Sequence, residues 1–281
     1  MGLCFSLWVR ALLVAGVIAC FGCGTPSNQS NSSTDRATVI DNSESSIWEQ
    51  HKPGGSTLCA DGSEYSFYVR PGNNDKLLVY LQGGGACWFR EICDPQMQPA
   101  YSYAVSGIEY YQFGIFDFAR AQNPFKDHTV VFLPYCSGDV HMGAADVTYP
   151  PAVADQQPLT IFHRGRANVE SALQWIYANV PKPSSIFVTG SSAGAIPSPL
   201  YTSILADQYP DAAVAQLGDA AGGYRSIAND VGPFAQWGLF NYILDEPGFA
   251  DLRAAGLSAE SIYIAAAKAQ PNIVFAEYDA A

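Results

Sequence analysis

Charge is scarce in this sequence. Only 14% of its 281 residues are charged, and 14 Lys and Arg stand against 26 Asp and Glu, a formal net charge of −12. No segment gathers Lys or Arg, so a groove that tracks phosphates has nothing to build from, and nucleic acid is excluded as a partner. Neither G-x-G-x-x-G nor a glycine loop ending in Lys-Ser or Lys-Thr occurs, which argues against a nucleotide cradle. Long apolar runs are missing too: none approaches the about 20 residues that span a bilayer. Beyond the leader no two cysteines form a C-x-x-C pair, and only His141 stands near Cys59, Cys87, Cys93 and Cys136 at a ligand-like spacing, so no metal and no organic cofactor is expected. A disordered chain, a coiled coil and a collagen-like fibre are excluded by a composition that is 48% hydrophobic and 13% aromatic.

What is present begins with a leader. Arg10 is the only charge before Asp35, and Ala11 to Cys20 is almost purely apolar. A charge, a short apolar run and small residues make a secretory signal peptide. Val17-Ile18-Ala19-Cys20 resembles a bacterial lipobox, which makes Cys20 the lipidated residue, with Cys23 a poorer second choice. Residues 1–23 therefore read as a lipoprotein-type signal peptide. Residues 24–46, rich in Ser, Asn and Thr, read as a flexible linker that cannot bury enough to fold. Residues 47–281 read as the folded domain. The expected location is the bacterial cell envelope, after export, with a lipid anchor as the contact to membrane.

Of seven Cys, three lie in the leader, which leaves Cys59, Cys87, Cys93 and Cys136. An even number in an exported domain implies two disulfides with three possible connectivities. Cys87 and Cys93 close a short loop, and their pairing leaves Cys59 with Cys136.

Apolar runs at Leu77–Leu81, Thr129–Leu133 and Ile186–Val188 read as strands buried on both faces, with Ala213–Leu217 and Ile273–Phe275 as weaker members. Tyr65–Val69 alternates, as an edge or antiparallel strand does. Val169, Leu173, Ile176, Tyr177 and Val180 form one helical face that Pro181 stops, and Ser258–Ala269 is a second helix with Ser258 and Ser261 as caps. Strands alternating with helices imply an α/β fold, a mainly parallel sheet with helices on both faces. Asp94–Asn123 is long, aromatic and irregular, an inserted helix or a lid.

Gly190-Ser191-Ser192-Ala193-Gly194 fits G-x-S-x-G and follows a strand, the context of a nucleophile elbow. Pro197 and Pro199 imply a bent first turn beyond it. Gly83-Gly84-Gly85-Ala86 follows Leu77–Leu81; a glycine run bares backbone N–H groups that can stabilise an oxyanion. Lipases and esterases take a second such N–H from the residue after the nucleophile, here Ala193.

Three blocks, Leu81-Gln82-Gly83-Gly84-Gly85-Ala86-Cys87-Trp88, Pro134-Tyr135-Cys136-Ser137-Gly138-Asp139-Val140-His141 and Gly190-Ser191-Ser192-Ala193-Gly194-Ala195, together resemble the pectin acetylesterase/Notum family of serine carboxylesterases. The resemblance covers about Trp48 onward and implies an α/β-hydrolase-like fold. It implies Ser192 as nucleophile, with Gly84, Gly85 and Ala193 as oxyanion donors, and it agrees with the cysteine pairing. It implies a substrate class of O-acetyl or other short acyl esters, on a polysaccharide or another small ester. Ala86 departs from the Trp that plant members carry after the glycines. Trp88, His141 and Asp219 are expected to line the pocket. Asp139 is expected to hold its own loop, and His163, at the head of a helix, to be exposed.

An α/β-hydrolase orders its triad Ser, acid, His. All four histidines, His51, His128, His141 and His163, precede Ser192. Asp279 is the nearest acid, with Asp219 its rival. The expectation from this order is a domain lacking its C-terminal part; the alternative is a catalytically inactive hydrolase-fold lipoprotein that binds without turnover.

Overall fold

A computed structural model describes residues 47–222, 232–252 and 257–279. The leader, Cys20, Cys23 and the linker lie outside the described residues.

Seven strands form the main sheet: β1 (Glu49–His51), β2 (Phe67–Arg70), β3 (Asn73–Leu81), β4 (His128–Leu133), β7 (Ser185–Ser191), β8 (Ala213–Asp219) and β9 (Val274–Tyr278), in the order β1-β2-β4-β3-β7-β8-β9. From β4 to β9 every neighbouring pair is parallel, while β1 and β2 pair antiparallel at one side. The apolar runs of β3 and β4 sit centrally because both faces of these strands are buried, as their unbroken hydrophobicity requires. Leu78, in the middle of β3, faces Val130 on one side and Phe187 on the other.

Side chains alternate across the sheet. Leu77, Val79 and Leu81 point to the face covered by a helix, Gly165–Asn179, through its Val169, Leu173 and Ile176. Two further helices, Ser198–Gln208 and Ala259–Ala269, pack against each other, and Tyr201 and Leu205 of the first join the same buried cluster. The Ser258 hydroxyl accepts the Ser261 N–H while the Ser261 hydroxyl accepts the Ser258 N–H, the expected cap.

The opposite face differs from expectation. Among the described residues, Leu78, Tyr80, Val130 and Phe132 are covered there by Ile108 and Phe116 of the aromatic segment, not by a helix. Tyr80 stacks on Phe132 at 5.3 Å, and Phe116 meets Tyr80 edge-on at 4.8 Å. Rings bury 150–250 Å² each, so a few of them close a face that would otherwise take a helix. Asp94–Asn123 is thus a blanket with two short 3₁₀ turns, Ile108–Tyr110 and Gly114–Phe116.

A hairpin of β5 (Ala145–Tyr149) and β6 (Leu159–His163), which sequence reading did not find, stands apart from the main sheet. His163 ends β6 and is fully buried, which corrects its expected exposure: its Nδ1 lies 3.0 Å from the Ser137 carbonyl oxygen and its Nε2 3.2 Å from the Tyr149 hydroxyl. Both disulfides form as expected, Cys59–Cys136 and Cys87–Cys93. Among the described residues, no helix is long and apolar enough to cross a membrane.

Candidate active site

The parallel strands deliver Leu81, Leu133, Ser191, Asp219 and Tyr278 to one edge of the sheet, where open α/β sheets bind their ligands. Ser192 follows β7 with φ +50°, a left-handed conformation that costs a non-glycine residue about 1–2 kcal/mol. The surroundings hold that turn. A Cβ on Gly194 would run into the Leu81 carbonyl oxygen, so only glycine lets the elbow sit against β3. The Ser192 carbonyl accepts the Ala195 N–H at 2.9 Å, and the Tyr80 hydroxyl donates to Ser191 Oγ at 3.0 Å. The helix resumes only at Ser198, with Pro199 in its first turn, as the two prolines imply.

The glycine loop lies beside the elbow; a Cβ on Gly83 would strike the Ser191 carbonyl oxygen. Gly85 has φ +76° and passes against the Ala100 carbonyl. The Gly84 carbonyl accepts the Ser102 N–H at 2.8 Å. A trans peptide sets its C=O and N–H in opposite directions, so the Gly85 N–H points away from Ser102. Gly85, Ser192 and Ala193 line one cavity of about 270 Å³. Its other walls are apolar: Trp88, Val140, Ile196, Phe234 and Trp237.

Gln82 ties this loop to the rest of the edge, a role that sequence reading missed. Its Oε1 accepts the Tyr135 N–H at 2.9 Å, its Nε2 donates to Ser106 Oγ and to the Tyr111 hydroxyl, both at 2.9 Å, and its carbonyl oxygen lies 2.8 Å from His141 Nε2. A carbonyl oxygen only accepts, so Nε2 of His141 carries the proton.

His141 is therefore a buried strut outside the cavity lining, and burial lowers its pKa to about 4. Asp139 does hold its loop: it accepts the Ser137 hydroxyl at 2.6 Å and the Gly165 N–H at 2.7 Å, and burial raises its pKa to about 6. Trp88 lines the cavity; Asp219 ends β8 on the exposed edge, with Ser191 of β7 on one side and Tyr278 of β9 on the other.

Asp279, one residue past β9, accepts the Gly222 N–H at 2.9 Å. Two strand spacings, roughly 10 Å, separate Ser191 from Tyr278. Among the described residues no hydrogen bond joins a histidine to Ser192. His51 stacks on Phe67 at the far side of the sheet, and His128 opens β4 at the opposite edge. Cys87, Cys93 and His163 offer donor atoms close together, but both sulfurs are held in the disulfide and both His163 nitrogens have partners.

Residues 31–231 match the family model described as Pectinacetylesterase. The chain belongs to the pectinacetylesterase family. Within it, the chain is similar to palmitoleoyl-protein carboxylesterase notum1 of Xenopus laevis, 28% identical over 175 residues, which are 59% of this chain and 34% of that protein. It is 31% identical to palmitoleoyl-protein carboxylesterase NOTUM of Homo sapiens over 96 residues, 32% of this chain and 19% of that protein. It is 30% identical over 98 residues to the inactive palmitoleoyl-protein carboxylesterase notum1b of Danio rerio, 33% of this chain and 70% of that protein. The matches span only 18%, 28% and 34% of the length of three full relatives, from Schmidtea mediterranea and Xenopus laevis.

Proposed function

We propose that this pectinacetylesterase-family chain is an exported serine carboxylesterase acting on O-acetyl or other short acyl esters carried by a polysaccharide. One observation carries the reading: Ser192, held in a left-handed elbow, shares a cavity with the Gly85 and Ala193 backbone. Ser192 Oγ attacks the acyl carbon as its proton passes to a general base, with Asp279 as the proposed acid. Gly84, Gly85 and Ala193 hold the oxyanion; one such donor is worth about 2.7–4 kcal/mol. The protonated alcohol leaves, and water hydrolyses the acyl-enzyme to carboxylate and free Ser192. The apolar walls suit the acyl group, and a volume of about 270 Å³ exceeds what an acetyl requires, which supports other short acyl groups beside it. Export fits the two disulfides, with Cys20 lipidated, residues 24–46 as spacer and residues 47–281 as the esterase domain.

The second reading is a binding protein of the same fold without turnover. It is favoured by the engagement of His141 with Gln82 and by a relative whose name marks it inactive. Hydrolysis of p-nitrophenyl acetate separates the two. In the native protein isolated from the cells that make it, Ser192→Ala should lower the rate by about 10³–10⁶-fold. The four histidines of these 281 residues all precede Ser192, so the chain expressed alone tests whether one of them serves as base. Full Ser192-dependent turnover by that chain would make an upstream histidine the base, His141 first. Native protein without esterase activity would favour the binding reading.

A further inference from the structure

We propose that the hollow between Trp48 and the aromatic segment is a binding site for a quaternary ammonium group, a trimethylammonium of the choline kind. The inference is independent of the esterase reading, because this hollow and the Ser192 cavity share no lining residue.

The cavity measures about 80 Å³, several times the roughly 10–15 Å³ that admits one water. It suits a compact group of a few heavy atoms and is too small for a chain. Trp48, Tyr111, Phe116 and Phe118 line it. Trp48 stands 6.1 Å from Phe118 at 58°, Phe118 stands 6.2 Å from Phe116 at 89°, and Phe116 stands 5.2 Å from Tyr111 at 79°. Rings tilted in this way wall a hollow instead of stacking shut. The wall is also fixed before any ligand arrives. Gln82 Nε2 donates to the Tyr111 hydroxyl at 2.9 Å, and the buried Phe116 meets Tyr80 edge-on. Asn123 Nδ2 donates to the carbonyl oxygens of Ile115 and Asp117 at 2.9 and 3.0 Å, which pins the turn that carries Phe116. A wall held like this loses little freedom on binding.

The charge of the lining decides what enters. Glu109, exposed, and Asp117, half-buried, place carboxylates on the same cavity as the four rings. Aromatic faces are negative, so a cation among several of them is attracted by each. A trimethylammonium group has an apolar skin and no N–H to satisfy, so it leaves water for an aromatic hollow at less cost than a primary ammonium. The Arg70 guanidinium lies 4.0 Å over the Phe118 ring without lining the cavity, so one ring of this group already attracts a cation. Its charge opposes a second cation, and the two carboxylates outweigh it. An anion would meet those carboxylates as repulsion, and a neutral ligand would gain nothing from them.

Calorimetry on the full chain tests this with two probes: choline, and its uncharged carbon analogue in which a tert-butyl group replaces the trimethylammonium. Choline should bind about tenfold tighter than the analogue. Trp48→Leu keeps apolar volume and removes a ring, so it should weaken choline about fivefold and leave the analogue within about twofold. Glu109→Gln combined with Asp117→Asn, neither position being buried, should weaken choline about fivefold at low salt and less at high salt. No binding of choline, equal binding of the two probes, or choline affinity unmoved in both variants overturns the proposal. Sedimentation with phosphatidylcholine vesicles separates two sources of the same group. Capture that choline competes away assigns the site to a lipid headgroup, and choline binding without capture assigns it to a free ligand.

Discussion

His141 Nε2 and the Gln82 carbonyl oxygen lie 2.8 Å apart in the protein interior, one residue before the glycine loop begins. The contact fixes the neutral imidazole as a donor, and burial lowers the pKa of both His141 and His163 to about 4. A histidine whose folded pKa lies below its unfolded value takes up its proton first in the unfolded chain. The stability it contributes is complete above about pH 6.5 and is lost as pH falls toward 4, up to roughly 3 kcal/mol for each residue. Asp139, raised to about 6, acts with the opposite sign between about pH 4 and 6 and offsets part of this loss. Two histidines outweigh one carboxyl, so the urea midpoint should fall between pH 7 and 5, and His163→Gln, which cannot titrate, should flatten the curve. A midpoint that does not move would contradict the burial argument.

Cys59–Cys136 joins residues 77 apart and ties the strand-exit loop of β4 to the approach to β2. Removing it with Cys59→Ser should lower unfolding stability by about 2–4 kcal/mol. Peptide mapping without reduction should return this pair and Cys87–Cys93; any other pairing would break the link between the sequence blocks and the sheet edge.

Gly194→Ala tests the elbow itself. The added methyl meets the Leu81 carbonyl, which belongs to a central strand and has no room to retreat. Overpacking of this kind should cost about 3 kcal/mol and displace Ser192, so esterase activity should fall further than thermal stability. Gly54→Ala is the contrast: a Cβ there meets nothing within 4 Å but φ is +65°, so that variant carries backbone strain without a clash and leaves Ser192 in place.

The parts of this fold that sequence reading found share one property: their signal is local. β3, β4 and β7 are buried on both faces and so read as continuous apolar runs, and the Ser192 elbow is marked by glycines two residues to either side. The parts it missed depend on distant partners. Gln82 is held by residues 24, 29, 53 and 59 positions away, none of which leaves a periodic trace. The β5–β6 hairpin reads as loop because its strands are short and half polar; its pairing is supported by Arg164 on Asp146 and by the Thr148 and Thr160 hydroxyls at 3.0 Å. His163 looked exposed because it adjoins a helix start, yet it ends a strand whose neighbours bury it.

The central claim is that Ser192 is an activated nucleophile. Treating the native protein, isolated from the cells that make it, with a fluorophosphonate and mapping the modified peptide by mass spectrometry tests it most directly. The expected result is a phosphonyl adduct on Ser192 that disappears in Ser192→Ala. An adduct on another residue, such as the neighbouring Ser191, or no adduct on folded protein, would contradict it.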